Sequence, residues 1–121
     1  PSQRIDEVFK IPDQYVPKFE QYMFLRDNAG TTNLHHATSH FGYFAKSTRH
    51  FKIQPVNYTA MQNKYGHTLL MFSVFNRTTR VTDLLLNSLK ANPAQLDSEN
   101  RNLYHYLAEI HQQTYLERFI E

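Results

Sequence analysis

Three short stretches of this chain carry the same turn-and-cap pattern at nearly constant spacing, and that recurrence restricts the fold more than any other feature. The first reads Asp27-Asn28-Ala29-Gly30-Thr31-Thr32-Asn33-Leu34-His35-His36-Ala37, and the second Asn63-Lys64-Tyr65-Gly66-His67-Thr68-Leu69-Leu70-Met71-Phe72-Ser73. The third is Asp97-Ser98-Glu99-Asn100-Arg101-Asn102-Leu103-Tyr104-His105-Tyr106-Leu107. Gly30, Gly66 and Asn100 lie 36 and 34 residues apart, each three positions after an Asp or Asn. Gly and Asn tolerate positive φ in a tight turn, while Asp and Asn side chains bond to the backbone of the turn they begin. Thr32, Thr68 and Asn102 then stand where a helix needs an N-cap. A period of roughly 20 to 50 residues marks an array of small units, each too small to bury its own apolar face. Each unit is expected to open with a turn and continue as helix.

Gly30, Thr32, Leu34, His35 and Ala37 together resemble the opening of an ankyrin repeat, with Asn33 where proline is usual. The second unit keeps Gly66, Thr68 and Leu70 but has Met71 and Ser73; the third keeps chiefly Leu103 or Tyr104 with His105. The resemblance covers residues 27–121 as units 27–62, 63–96 and 97–121, and implies an all-α solenoid of stacked antiparallel helix pairs joined by projecting turns. It also implies that the histidines at 35 and 105 hydrogen-bond within and between turns.

Periodicity supports second helices independently. Val81, Leu84, Leu85 and Leu89 form one apolar stripe, expected to end at Asn92-Pro93 because proline disfavours helix in the residue before it. Tyr115, Leu116, Phe119 and Ile120 give a similar stripe in the third unit. In the first unit Phe44, Ala45, Thr48 and Phe51 make only a thin apolar face, which predicts a short or irregular helix followed by a long loop, Ile53 to Gln62, as a place for function. Residues 1–26 match no unit. Phe19, Tyr22 and Met23 suggest a short helix after Pro17 that caps the first unit. A start at Pro1 and a stop at Glu121 in mid-pattern read as a piece of a longer protein, with a C-terminal face around Tyr115 and Phe119 open to self-association.

Composition excludes several functions. Thirteen basic against eleven acidic residues are too balanced for a dedicated polyanion binder, so direct nucleic-acid contact is not the leading reading. With no cysteine there are no disulfides or thiolate metal sites, which tilts the expectation towards an intracellular protein, cytoplasmic or nuclear. Three scattered glycines supply no phosphate-cradling loop, and no apolar run is long enough to span a membrane. His36 and His40 could share a helix face at i, i+4, but two ligands are not a metal site, and Asp27 is expected beyond the far end of that helix. Ser39 beside His40 is no nucleophile and base pair by adjacency alone. No enzyme, metal or cofactor is therefore expected.

What remains is a protein-interaction module, binding through the turn tips and the exposed side of each first helix, in a larger regulatory or scaffold protein. The resemblance implies contact positions at Asn28, Ala29, Thr31, Ser39 and His40 in the first unit, and at Lys64, Tyr65, His67, Phe75 and Asn76 in the second. The third adds Ser98, Glu99, Arg101, Glu109 and Ile110. Tyr65 and Phe75 are the expected anchors because rings on a rigid frame supply most binding energy; Lys64 and Arg101 would steer an acidic partner. The alternative is a nucleic-acid or anionic-surface binder working through the basic 46–52 segment, where Lys46, Arg49, His50 and Lys52 interleave with Phe44 and Phe51.

Overall fold

In the computed structural model, which describes the backbone of residues 11–120 and the side chains of residues 11–113, each recurring corner is closed by the side chain that opens it. Asp27 Oδ1 accepts from the backbone N–H of Ala29 at 2.8 Å and of Thr31 at 3.0 Å. Asn63 Oδ1 accepts from Tyr65 and His67, both at 3.0 Å, and Asp97 Oδ1 from Glu99 at 2.9 Å and Arg101 at 3.0 Å. The chain then turns through left-handed backbone at Gly30 (φ 74°), Gly66 (φ 78°) and Asn100 (φ 61°). An Asp or Asn supplies the acceptor, and a Gly or Asn supplies the φ that most residues resist.

Consecutive corners are tied to one another. Lys64 N donates to Ala29 O at 2.8 Å, and Ser98 N to Tyr65 O at 3.0 Å. Just ahead of the first two corners a long polar side chain repeats the link. The Arg26 guanidinium donates to Gly30 O (2.7 Å) and Gln62 O (3.0 Å), and the Gln62 amide to Gly66 O (2.9 Å) and Leu96 O (2.8 Å).

Among the described residues there are seven helices: α1 (Val16–Met23), entered through a 3-10 turn at Asp13–Tyr15, α2 (Asn33–Ala37), α3 (Phe41–His50), α4 (Val56–Thr59), α5 (Leu69–Phe75), α6 (Thr79–Asn87) and α7 (Leu103–Ile120). Among the described residues there is no strand, only an isolated bridge between Arg26 and Thr32. The helix after each corner is capped as its sequence demands. Thr32 Oγ1 accepts from His35 N while His35 Nδ1 accepts from Thr32 N, a reciprocal box that Asn102 and His105 repeat at the start of α7. Thr68 caps α5 through Met71 N alone, because Met71 has no acceptor to return the bond.

α2 packs on α3 and α5 on α6; α5 also lies against α2 and α7, and α3 against α6. First helices thus form one row and second helices another, with Leu34, Phe44, Leu69, Leu70, Met71, Val74, Val81, Leu85 and Leu103 buried where the rows meet. α1 begins at Val16, so Pro17 sits in the first turn where no N–H is needed. Val16 and Met23 are buried, Phe19 packs against the core, and Tyr22 is exposed.

Four features depart from the sequence expectations. α3 is a regular ten-residue helix, not a short irregular one, since it buries Phe44 and Ser47 together and Thr48 Oγ1 bonds back to Phe44 O and Ala45 O. The 53–62 segment holds α4, which drives Tyr58 into an aromatic cluster with Phe24, Phe51 and Phe19. Through Tyr58 the segment packs against the core, while Val56 stays exposed. α6 stops at Asn87, before Asn92-Pro93, because Lys90 adopts left-handed backbone (φ 56°) and Ala91 N bonds back to Leu85 O at 2.9 Å. Finally, residues 103–120 form one uninterrupted helix where a helix pair was expected. Ala108 to Thr114 contain no Gly, Pro, Asn or Asp, whereas the second unit turns at Asn76-Arg77 with Arg77 at φ 57°. The stripe of Tyr115, Leu116, Phe119 and Ile120 lies outside the described side chains.

The two glycine corners differ in the space they leave. A Cβ on Gly66 would lie 2.5 Å from Ser98 N and 2.7 Å from Asp97 Cα, both backbone, whereas one on Gly30 would come no nearer than 3.4 Å. Gly30→Ala should cost about 1 kcal/mol from φ alone, and Gly66→Ala about 3 kcal/mol. Urea denaturation of the two variants checks the order; equal losses would contradict the close packing at the second corner.

Candidate functional site

A ladder of aromatic rings crosses the row of first helices. Its frame is the fourth residue of each first helix, held by His36, Phe72 and Tyr106, which occupy equivalent places in the three units. His36 meets Phe72 with ring centroids 6.2 Å apart, and Phe72 meets His67 at 6.2 Å and Phe75 at 5.9 Å. Phe75 sits edge-on to His67 at 5.1 Å and to Tyr106 at 4.9 Å, and Tyr65 completes the ladder 5.8 Å from His67. Edge-to-face rings at these separations attract through their quadrupoles beyond the area they bury. Tyr65 is 50% exposed and Phe75 39%, so the ladder is partly open to solvent while its base is fixed.

Charged groups hold the third-unit end. The Tyr106 hydroxyl donates to Asp97 Oδ2, and His67 Nε2 lies 3.7 Å from that oxygen. Burial acts to raise the Asp97 carboxyl, but the Tyr106 hydroxyl and the N–H groups of Arg101 and Glu99 outweigh it and hold the acid below its ordinary range. Burial, with the bond to Asp97 in support, pushes the Tyr106 phenol up to about 12. The Arg101 guanidinium covers the Tyr106 ring at 4.4 Å and pairs with Glu109 at 2.6 Å, and Lys64 Nζ stands 5.1 Å from the Tyr65 ring centre.

Of the residues expected at the surface, the fold gathers Tyr65, His67 and Phe75, with Lys64, Arg101 and Glu109 around them. Asn28 and Glu99 are exposed at the first and third corners. Most of the others also make hydrogen bonds within the chain, and Ser39, His40, Asn76 and Ser98 remain exposed. Thr31 is buried and its hydroxyl accepts from the Asn63 amide at 3.1 Å, so it joins two corners instead of facing a partner. Ser39 Oγ donates to His36 O, and His40 Nδ1 caps α3 by accepting from Tyr43 N at 3.0 Å. Asn76 donates to Thr38 Oγ1, Ser98 to the Tyr65 carbonyl, and Ala29 gives its carbonyl to Lys64. Ile110 packs partly against the core. The expected list omitted Phe72, Tyr106 and His36, although one signal was present: an aromatic or imidazole ring at the same position of every unit.

The histidine pair also resolves. α2 ends at Ala37, so His36 and His40 share no helix face, and Asp27 Oδ2, expected at the far end of that helix, lies 3.7 Å from His36 Nε2. Among the described residues no three His, Asp or Glu side chains stand together in a way that could hold a metal ion. In the basic segment Phe44 is buried and Phe51 lies in the Phe24–Tyr58 cluster, so neither ring is presented for stacking on a base. Lys52 Nζ lies 3.9 Å from Asp13. No helix among the described residues is long and apolar enough to cross a membrane. No model of a known protein family matches the chain, and no curated protein matches it.

Beneath the ladder, His35 is fully buried with its ring 5.0 Å from Phe72. Burial pushes its imidazole down to about 4, against the opposing pull of the Met61 and His67 backbone. The ring is neutral in the folded chain, while unfolding restores a pKa near 6.5. Between those values the unfolded state binds a proton that the folded state refuses, so this contribution is present above pH 6.5 and lost as pH falls towards 4. The loss is on the order of 3 kcal/mol. Urea midpoints should hold steady from about pH 7.5 to 6.5 and then decline, and the His35 ring protons should show no titration in NMR spectra until near pH 4. A midpoint near 6.5 for that ring would contradict its burial.

Proposed function

We propose that this chain is a non-enzymatic protein-interaction module of the ankyrin-repeat kind, built into a larger regulatory or scaffold protein. It captures its partner on the rings of Tyr65, His67 and Phe75, backed by the buried Tyr106. The observation that carries the reading is a row of packed rings, of which Tyr65 and Phe75 are partly exposed, standing on capped helices whose corners are tied together. Binding energy concentrates in aromatic residues that are rigid before the partner arrives, because little side-chain freedom is then lost on docking. Lys64 and the Arg101–Glu109 pair at the margin supply charge that sets the partner's orientation more than its affinity. The recurring corners, caps and helix rows support the repeat assignment.

The nucleic-acid alternative gains nothing comparable, since the rings of the 46–52 segment are packed inward. Retention on heparin across a salt series distinguishes it, because phosphate-type contacts weaken steeply as salt rises.

A partner captured on the immobilised chain and then titrated against variants tests the ladder. Tyr65→Ala and Phe75→Ala should each weaken that partner by about 30-fold, on the order of 2 kcal/mol, with helical circular dichroism unchanged. Wild-type affinity in both folded variants would remove the ladder from the binding surface.

A further inference from the structure

The third unit leaves uncovered what the first two bury. Leu34 and Leu70 are 0% and 2% exposed, but Tyr104, at the equivalent position, is 59% exposed. Ala37 and Ser73 are buried, but Leu107 is 40% exposed. α7 is therefore apolar on two sides: Leu103, Tyr106 and Ile110 pack inward, while Tyr104 and Leu107 face solvent. Beside Leu107 lies an apolar cleft of about 190 Å³, lined by Val74, Arg77, Thr82, Leu107 and Ile110 between α5, α6 and α7.

That cleft lies where a second helix of the third unit would continue the row formed by α3 and α6. The chain has a sequence suited to the place. Displaced by 34 positions from α6, Tyr115, Leu116, Phe119 and Ile120 stand in the register of Val81, Thr82, Leu85 and Leu86, of which the first three are buried. The uninterrupted run of α7 carries this segment past the cleft. At 1.5 Å per residue, residue 116 lies about 14 Å along the helix beyond Leu107, so a copy does not fill its own cleft with it.

We propose that two copies of this chain pair by reciprocal exchange, residues 114–120 of each lying in the α5–α6–α7 cleft of the other. A helix that is continuous where its predecessors fold back is the open form that an exchanged dimer requires, and the interface it makes extends the existing α3–α6 contact. The exchange closes on itself with two-fold symmetry. Continued head-to-tail stacking is opposed by α1, which covers the other end with Val16 and Met23. Arg101 is paired with Glu109, and Arg77, which lines the cleft, donates to Gln113 Oε1 at 3.5 Å.

Sedimentation of the full chain over roughly 1 to 200 μM should show its mass moving from 14.4 kDa towards twice that value. Leu107→Arg in the cleft and Phe119→Ser in the exchanged segment should each raise the dissociation constant at least tenfold while leaving helical circular dichroism unchanged. The chain has no cysteine of its own, so a mixture of Leu107→Cys and Phe119→Cys chains reports the geometry. Mild oxidation should give the mixed disulfide as the main product. A chain monomeric at every concentration overturns the proposal, as does a dimer that cross-links 107 to 107 in preference to 107 to 119.

Discussion

The structure depends on one local interaction, a side-chain oxygen at the first residue of each corner that accepts from the second and fourth N–H groups beyond it. Asp27, Asn63 and Asp97 make that pair of bonds at nearly identical distances. With the oxygen in place, the corner presents a carbonyl and an N–H edgewise, which lets Lys64 reach Ala29 and Ser98 reach Tyr65. Short helices such as α2, with five residues, and α5, with seven, have little stability of their own. They persist because the corner fixes their first turn, the cap satisfies their first donors, and the neighbouring unit covers their apolar face.

The aromatic ladder inherits its rigidity from this frame. His67 is fixed through its own N–H to Asn63 and lies near Asp97 of the following corner, so its ring links two units. Asp97 does three things at once: it closes its corner, accepts from Tyr106, and approaches His67. A carboxylate surrounded by so many donors stays ionised despite burial, and it fixes the end of the ladder on which Arg101 is stacked. Frame and surface are in this sense one network, and a partner docking on Phe75 would meet rings that have little freedom left to lose.

How much of this was legible in the sequence followed from how local the physics was. The corners at Gly30, Gly66 and Asn100 and the caps at Thr32, Thr68 and Asn102 are decided within a few residues, and the residue types announced them. Thr31 looked like a surface threonine, because its burial is created by Asn63 in the next corner, 32 residues away. α3 was underrated because apolar periodicity does not count Ser47, which is buried, or Thr48, whose hydroxyl is satisfied by its own helix. The end of α6 was placed too late because a left-handed lysine at position 90 carries no sequence mark comparable to proline. The continuity of α7 was readable, since nothing from Ala108 to Thr114 breaks a helix; the expectation of a turn came from the resemblance and not from the residues. Of the ladder, the repeat pattern points to Tyr65, His67 and Phe75, while His36, Phe72 and Tyr106 are marked only by the recurrence of a ring at one position of every unit.

Native-state hydrogen exchange at the Lys64 and Ser98 amides tests the central claim most directly, because these two N–H groups carry the bonds from corner to corner. They should exchange as slowly as the amides of buried Leu85, opening only when the whole chain unfolds. Exchange at the rate of an unstructured peptide would mean that the corners are not joined, and the account of the frame and its ladder would fail.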